Sequence, residues 1–206
     1  MISKSGELRG KTCVLMGAGG HAKVVIDLAL ALGANIEGVC DPSLARDGKE
    51  EWQGLKVLGD DDFLLSVSPE DVLLLNGVGQ MPGSTIRSDL FERFSGAGFS
   101  FVPLVHPSAW VSPTATLNAG VQIMAGAVVQ AGAFVGCNTI INTLSSVDHD
   151  SRIGASVHIA PGVTVCGDAI IGNDTFVGAG ATIIQGISVC ANGFVKAGSL
   201  VCEDQV

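Results

Sequence analysis

Two stretches of this chain carry side chains able to do chemistry. The first is Val147-Asp148-His149-Asp150, a histidine held between two carboxylates. A carboxylate beside an imidazole fixes its tautomer and raises its basicity, which is what a general base working near neutral pH requires. The second is Gly17-Ala18-Gly19-Gly20-His21-Ala22, a G-x-G-x-x-A loop. In such a loop the first glycine permits a tight turn, and the second lets backbone amides approach a phosphate at a helix N-terminus. Asp41 follows Gly19 by 22 residues (41 − 19), where a carboxylate would meet a ribose hydroxyl. Gly77 and Gly79, after a further apolar run, would form the other lip of that crevice. A tight turn with a capping carboxylate and no ligand is the bland alternative; the strand–loop–helix–strand order favours a nucleotide-type ligand.

The other histidines are His21, His106 and His158. His106, before Pro107, reads as a linker residue. His158 could bind substrate or fill a turn, and the sequence leaves both open. Arg87 reads as an exposed helix arginine, with a phosphate or sugar contact as its alternative.

The elements that must position these groups differ between the two halves. From Val111 to Val201 an aliphatic residue opens every group of six, through fifteen hexads, (201 − 111)/6, without a slip. Period six is not a multiple of 3.6, and glycines between the openers would cost a helix stability. Short strands joined by Gly, Asn or Asp turns suit the pattern, since these residues tolerate positive φ. A fixed hexapeptide period marks a parallel β-helix. Its unbroken register leaves no large inserted loop, so His149 must sit on a turn of the repeat itself.

The first hundred residues alternate strands (12–16, 36–40, 71–75, 99–105) with helices (22–32, 60–65, 84–94). That order implies a small parallel sheet with right-handed crossovers. About 105 residues make one mononucleotide-binding half of Rossmann-like type, too little for the paired halves that hold a dinucleotide. The expected division is an α/β domain over 1–105 and an all-β helix over 106–206.

Composition narrows the function. The net charge is −9 across 206 residues, which argues against general nucleic-acid binding. Beyond Pro107 the cations are Arg152 and Lys196 alone. An anionic ligand on the repeat must therefore rely on backbone amides or on those two. No apolar run approaches the roughly 20 residues of a membrane span. The polar stretch 1–11 lacks the apolar core of a signal peptide. Six scattered cysteines without a CxxC pair fit reduced thiols in a cytoplasmic protein. A zinc hydratase on a β-helix needs three converging histidines, and only His149 and His158 lie in the repeats, so no metal is expected. The Asp-His-Asp cluster speaks against a non-catalytic nucleotide-binding trimer.

The segment GAGGHAKVV (17–25) together with NTLSSVDHDSRIGASVHIAPG (142–162) resembles the bacterial hexapeptide-repeat sugar O/N-acetyltransferases of the sialic-acid O-acetyltransferase type. Within them the chain is most similar to N-acetyltransferases of nucleotide-linked 4-amino-4,6-dideoxysugars, of the bacillosamine and perosamine kind. The resemblance covers nearly the whole chain, with both domains in the same order. It implies a left-handed parallel β-helix, a homotrimer with active sites between adjacent subunits, acetyl-CoA along the β-helix, and a UDP- or GDP-sugar on the N-terminal domain. By that resemblance His149 is the catalytic base, with Asp150 as the acid beside it. Asn142 lies near the acceptor amine. His158 stands near the acetyl group and Gly167 offers its N–H to the thioester oxygen; with Ala179 and Lys196 they form the expected acetyl-CoA site. Gly17, Gly19, Gly20, His21, Asp41, Gly77 and Gly79 form the expected nucleotide-sugar site. The implied activity is direct N-acetyl transfer, with sugar O-acetylation as the alternative. The residues do not separate amine from hydroxyl, or UDP from GDP. The chain departs from the family in two places: Asp150 stands where some relatives carry Glu, and a Gly-x-Pro-Ala segment after the last repeat is not in the sequence.

Overall fold

The computed structural model describes Leu8 and residues 10–205. The polar stretch read above as lacking a signal-peptide core lies largely outside the described residues. Within them no helix is long and apolar enough to cross a membrane.

The first domain is built on β1 (Thr12–Met16), buried from Cys13 onward as a central strand must be. Next comes α1 (Gly20–Ala31), which buries Ala22, Val25, Ile26, Leu28 and Ala29 on one face. It stops where Gly33 adopts φ +75°, the left-handed conformation that ends many helices. Then follow β2 (Asn35–Cys40), α2 (Pro42–Arg46), β3 (Glu51–Trp52), β4 (Leu55–Gly59), α3 (Asp61–Ser66), β5 (Leu73–Asn76) and α4 (Ile86–Gly96). The sheet order is β3-β4-β2-β1-β5. All neighbours are parallel except β3, which is antiparallel to β4. The chain leaves β1 toward β2 on one side and later toward β5 on the other, so a crevice opens at the C-terminal end of β1.

Three local features depart from the sequence expectation, the first being the short helix α2, which Asp41 caps. The β3–β4 hairpin was not anticipated. Its turn places Gln53 at φ 51° and Gly54 at φ 75°, a two-residue turn with both φ positive, and Gln is a poor advertisement for that conformation. The expected strand 99–105 is not one strand. Ser100 alone bridges Leu73, while Leu104–Val105 pairs with Gln122–Ile123. Pro103, without an N–H, cannot continue the sheet ladder. The β-helix thus begins at Leu104.

Among the described residues the β-helix has seventeen two-residue strands, β6 (Leu104–Val105) to β22 (Leu200–Val201), on three faces of six, five and six. Val129 pairs with Val147 and Val147 with Val165, so three hexads close one coil. The hexad openers form the core, Val129, Val147, Val165 and Ile183 among them fully buried. Burying such a side chain stabilises by about 1.5–3 kcal/mol. Corners carry positive φ at Asn138, Asp150 and Asp168, as their residue types allow.

We name the faces by their strands. Face A carries Trp110–Val111 to Leu200–Val201, face B Thr116–Leu117 to Ser188–Val189, and face C Leu104–Val105 to Phe194–Val195. The α/β domain packs on the lower half of face C, where Leu104, Met124 and Ile140 join one apolar cluster with α1.

Candidate active site

A cavity of about 420 Å³ lies at the C-terminal end of β1, between the loop Gly17 to His21 and the segment Gly77 to Met81, with Asp41 and His158 on its wall. Steric need explains three glycines. A Cβ on Gly17 (φ +84°) would stand 2.7 Å from Val78 Cγ2. One on Gly77 would meet Met16 O at 2.8 Å and Ala22 Cβ at 2.9 Å, and one on Gly79 would meet His21 Cβ at 3.2 Å. Gly19 and Gly20 differ, because a Cβ there would meet nothing within 4 Å. Gly19 caps α1 without any side-chain hydrogen bond, so the first-turn amides and the positive end of the helix dipole are free for an anion.

Asp41 does two jobs. Its Oδ1 accepts the amides of Ser43 (2.8 Å) and Leu44 (3.0 Å), capping α2, and its Oδ2 accepts Ala18 N–H at 3.0 Å, tying down the glycine loop. The capping role seen as the bland alternative is therefore present, on a carboxylate that also lines the cavity.

Two histidines are held neutral there. Gln122 donates from Nε2 to Asn76 O (2.8 Å), which turns its Oε1 toward His21 Nε2 at 2.8 Å. His21 is thus the Nε2–H tautomer. Asn142 Oδ1 accepts Thr143 N–H at 2.8 Å, which leaves its Nδ2 facing His158 Nε2 at 3.2 Å. His158 Nε2 accepts, and Nδ1–H donates to Gln80 O at 3.3 Å. Burial, the largest cause in each case, and the Arg87 charge together lower both imidazoles to a pKa of about 4.

His149 stands on another corner, between faces A and B. Its Nδ1 lies 2.9 Å from Asp150 Oδ2, and its side chain is 61% exposed. The hydrogen bond donated to Asp150 first, then the charge of Asp148, hold its pKa above the ordinary histidine value. With Nδ1–H donated to Asp150, Nε2 keeps a free lone pair. One coil above, a Cβ on Gly167 would sit 2.5 Å from Nε2. Cys166 N–H and Asp168 N–H are bonded to Ile183 O and His149 O, whereas Gly167 N–H has no partner among the described residues. A base and an unused donor therefore share one small space.

The residues singled out from sequence fall into three groups. Gly17, Gly19, Gly20, His21, Asp41, Gly77 and Gly79 meet at the cavity. His158, expected with the acetyl-CoA residues, lines that same cavity, and Asn142 joins it through His158. His149, Asp150 and Gly167 form the second group. Ala179 and Lys196, both exposed, occupy the corner between faces C and A, above Asn142. One chain does not bring the three groups together. Arg152 packs its guanidinium over Phe134, 5.2 Å from the ring centre, on face B.

Arg87 is neither exposed nor a lining residue. It is 1% exposed and donates from Nε to Asn138 O (3.0 Å) and from Nη1 to Asn76 O (3.2 Å) and Val78 O (2.6 Å). Its position carried a signal: with Leu90, Phe91 and Phe94 it makes an i, i+3, i+4, i+7 stripe, and an arginine on an apolar stripe is a buried arginine. Gln80 was also missed, and nothing in its neighbours' spacing marks it.

The profile of the PglD N-terminal domain matches residues 13–94. The acetyltransferase domain of PglB from Neisseria gonorrhoeae FA1090 is 36% identical with a TM-score of 0.87, covering 96% of this chain and 94% of that one. In complex with acetyl coenzyme A the same domain matches at 34% identity and TM-score 0.84, over 95% and 92% of the two chains. A variant of GDP-perosamine N-acetyl transferase from Caulobacter crescentus, in complex with CoA and GDP-perosamine, matches at 36% identity and TM-score 0.86, over 95% and 90%.

Proposed function

This chain belongs to the hexapeptide-repeat sugar N-acetyltransferase family, whose members use acetyl-CoA, and on that footing we propose that it acetylates a nucleotide-linked (UDP or GDP) 4-amino-4,6-dideoxysugar. The observation that carries the mechanism is the His149–Asp150 pair with Gly167 beside it. Bound acetyl-CoA supplies an electrophilic thioester carbonyl. The missing Cβ and the unused N–H at Gly167 suit a small acyl group next to Nε2. His149 Nε2 takes a proton from the acceptor amine as the amine nitrogen attacks, and Asp150 stabilises the imidazolium that forms. Gly167 N–H donates to the oxygen that gains negative charge, a contribution of about 3 kcal/mol for one good donor. His149 then returns the proton to the departing sulfur.

The cavity suits the nucleotide end of the substrate. The uncapped start of α1 offers amides to the diphosphate, Asp41 Oδ2 retains a lone pair for a hydroxyl, and Asn142 keeps one N–H beyond the one given to His158. Because cavity and base sit on different corners of one chain, we read the working unit as a homotrimer. Each active site then combines the cavity of one subunit with His149 of the next, and Ala179 and Lys196 contribute to the acetyl-CoA site. Six free cysteines favour a reducing, cytoplasmic setting.

Thiol release from acetyl-CoA, measured with UDP- and GDP-linked 4-amino sugars and their 4-hydroxy counterparts, tests the reading. Release with an amino sugar that disappears in His149→Ala is expected. Release only with the hydroxy sugars would replace N- by O-acetylation, and release with none would remove the proposed substrate class.

A further inference from the structure

Arg87 is a buried cation without an anionic partner among the described residues. The ion pairs among the described residues join Arg46 with Asp47, Arg93 with Asp61 and Asp62, and His149 with Asp150; none includes Arg87. Its three bonds go to neutral carbonyls, and Nη2, fully buried, has no partner. A charge taken out of water and left unpaired is costly, so one retained in a fold calls for an explanation. Two of its three carbonyls, Asn76 O and Val78 O, flank Gly77, which lines the cavity. The guanidinium therefore lies directly behind one lip. Its field reaches inside, since it disfavours protonation of both His21 and His158 on the cavity wall. The only carboxylate lining the cavity, Asp41, is already tied to three amides. Among the described residues no side chain pairs with the Arg87 charge.

We propose that Arg87 is the fixed counter-charge of the cavity, a positioning residue that selects a nucleoside diphosphate over the uncharged nucleoside without touching either. The anion it lacks arrives with the ligand. By tying both carbonyls that flank Gly77 to its own Nη1, it also keeps their oxygens turned away from the incoming phosphates. This rests on the nucleotide-sugar reading above. At roughly 10 Å and an effective dielectric constant of about 20, one buried charge changes the affinity for one phosphate charge by about fifteenfold.

The test is calorimetric titration of the full-length protein with UDP, GDP, uridine and guanosine, in wild type, Arg87→Met and Arg87→Lys. Wild type should favour the diphosphate over its own nucleoside. Arg87→Met should lose about fifteenfold or more of that preference, with a much smaller change for the nucleoside. Arg87→Lys keeps the charge but not the three-carbonyl fork, so both affinities should fall together and the preference should survive. A purely structural strut would weaken both ligands equally in both variants, and an unchanged preference in Arg87→Met overturns the proposal. If Arg87→Met does not fold, loss of the preference in Arg87→Lys overturns it as well. Failure of wild type to bind either diphosphate would instead refute the nucleotide-sugar reading itself.

Discussion

Replacing Gly167 with alanine displaces the base while leaving its own side chain unchanged. Gly167 is not among the residues with positive φ, so its backbone accepts alanine, and space alone is in question. The new Cβ would lie 2.5 Å from His149 Nε2, 2.6 Å from Cε1 and 3.0 Å from Cδ2. Ordinary contact requires the ring to retreat by about 1 Å. The ring is free to do so because its side chain is 61% exposed. The fold should therefore lose no more than about 0.5 kcal/mol, as at other surface sites. The 2.9 Å bond from Nδ1 to Asp150 cannot survive that shift, since hydrogen bonds fade beyond about 3.2 Å. A general base contributes on the order of 10²–10⁴ in rate, so turnover in the thiol-release assay should fall at least about 100-fold, near 2.7 kcal/mol. Nucleotide affinity should stay put, because neither Gly167 nor His149 lines the cavity. A folded Gly167→Ala protein with turnover within about fivefold of wild type would refute the assignment of Nε2 as the working base.

Three further outcomes follow from the same geometry. Asp150 is the first cause of the raised His149 pKa, and a base works above its pKa. Asp150→Asn should therefore move the acid limb of the kcat/KM–pH profile to lower pH while lowering its plateau; a limb that stays in place would contradict this. His21 and His158 titrate near 4 when folded against 6.5 when unfolded. The unfolded chain alone takes up protons in that window, so stability should drop as pH falls from 6.5 to 4, by about 1.4 kcal/mol per pH unit for each histidine. Urea unfolding across that range checks it, and a flat profile would show that the two are not buried neutral. Gly77→Ala would force a Cβ against Met16 O and Ala22, costing about 1–3 kcal/mol as overpacked sites do; an unchanged urea midpoint would rule out that close approach.

Much of this site was legible in the residues. The G-x-G-x-x-A loop and Asp41 meet at one cavity because a strand, a tight turn and an uncapped helix are consecutive in the chain, and local geometry dictates their contacts. The His149–Asp150 pair is adjacent in sequence and needs no fold to bring it together. His158 was less legible. Its nine-residue offset from His149 is half a coil, which carries it to a different face and into the cavity with the glycine loop. Arg87, Gln80 and the network of Asn76, Gln122 and Asn138 were not legible as a unit, since the bonds that carry it into the β-helix join residues 46 to 78 apart in sequence.

By itself, then, the sequence determined the β-helix, its register and the two chemical motifs. Period six and the G-x-G-x-x-A spacing are local constraints that allow few backbones. Only the tertiary structure decided that the base and the cavity occupy different corners of one chain, and that a lone buried cation stands behind the cavity's lip. Those facts depend on where the α/β domain docks on face C, and docking is set by packing between distant segments rather than by any spacing along the chain.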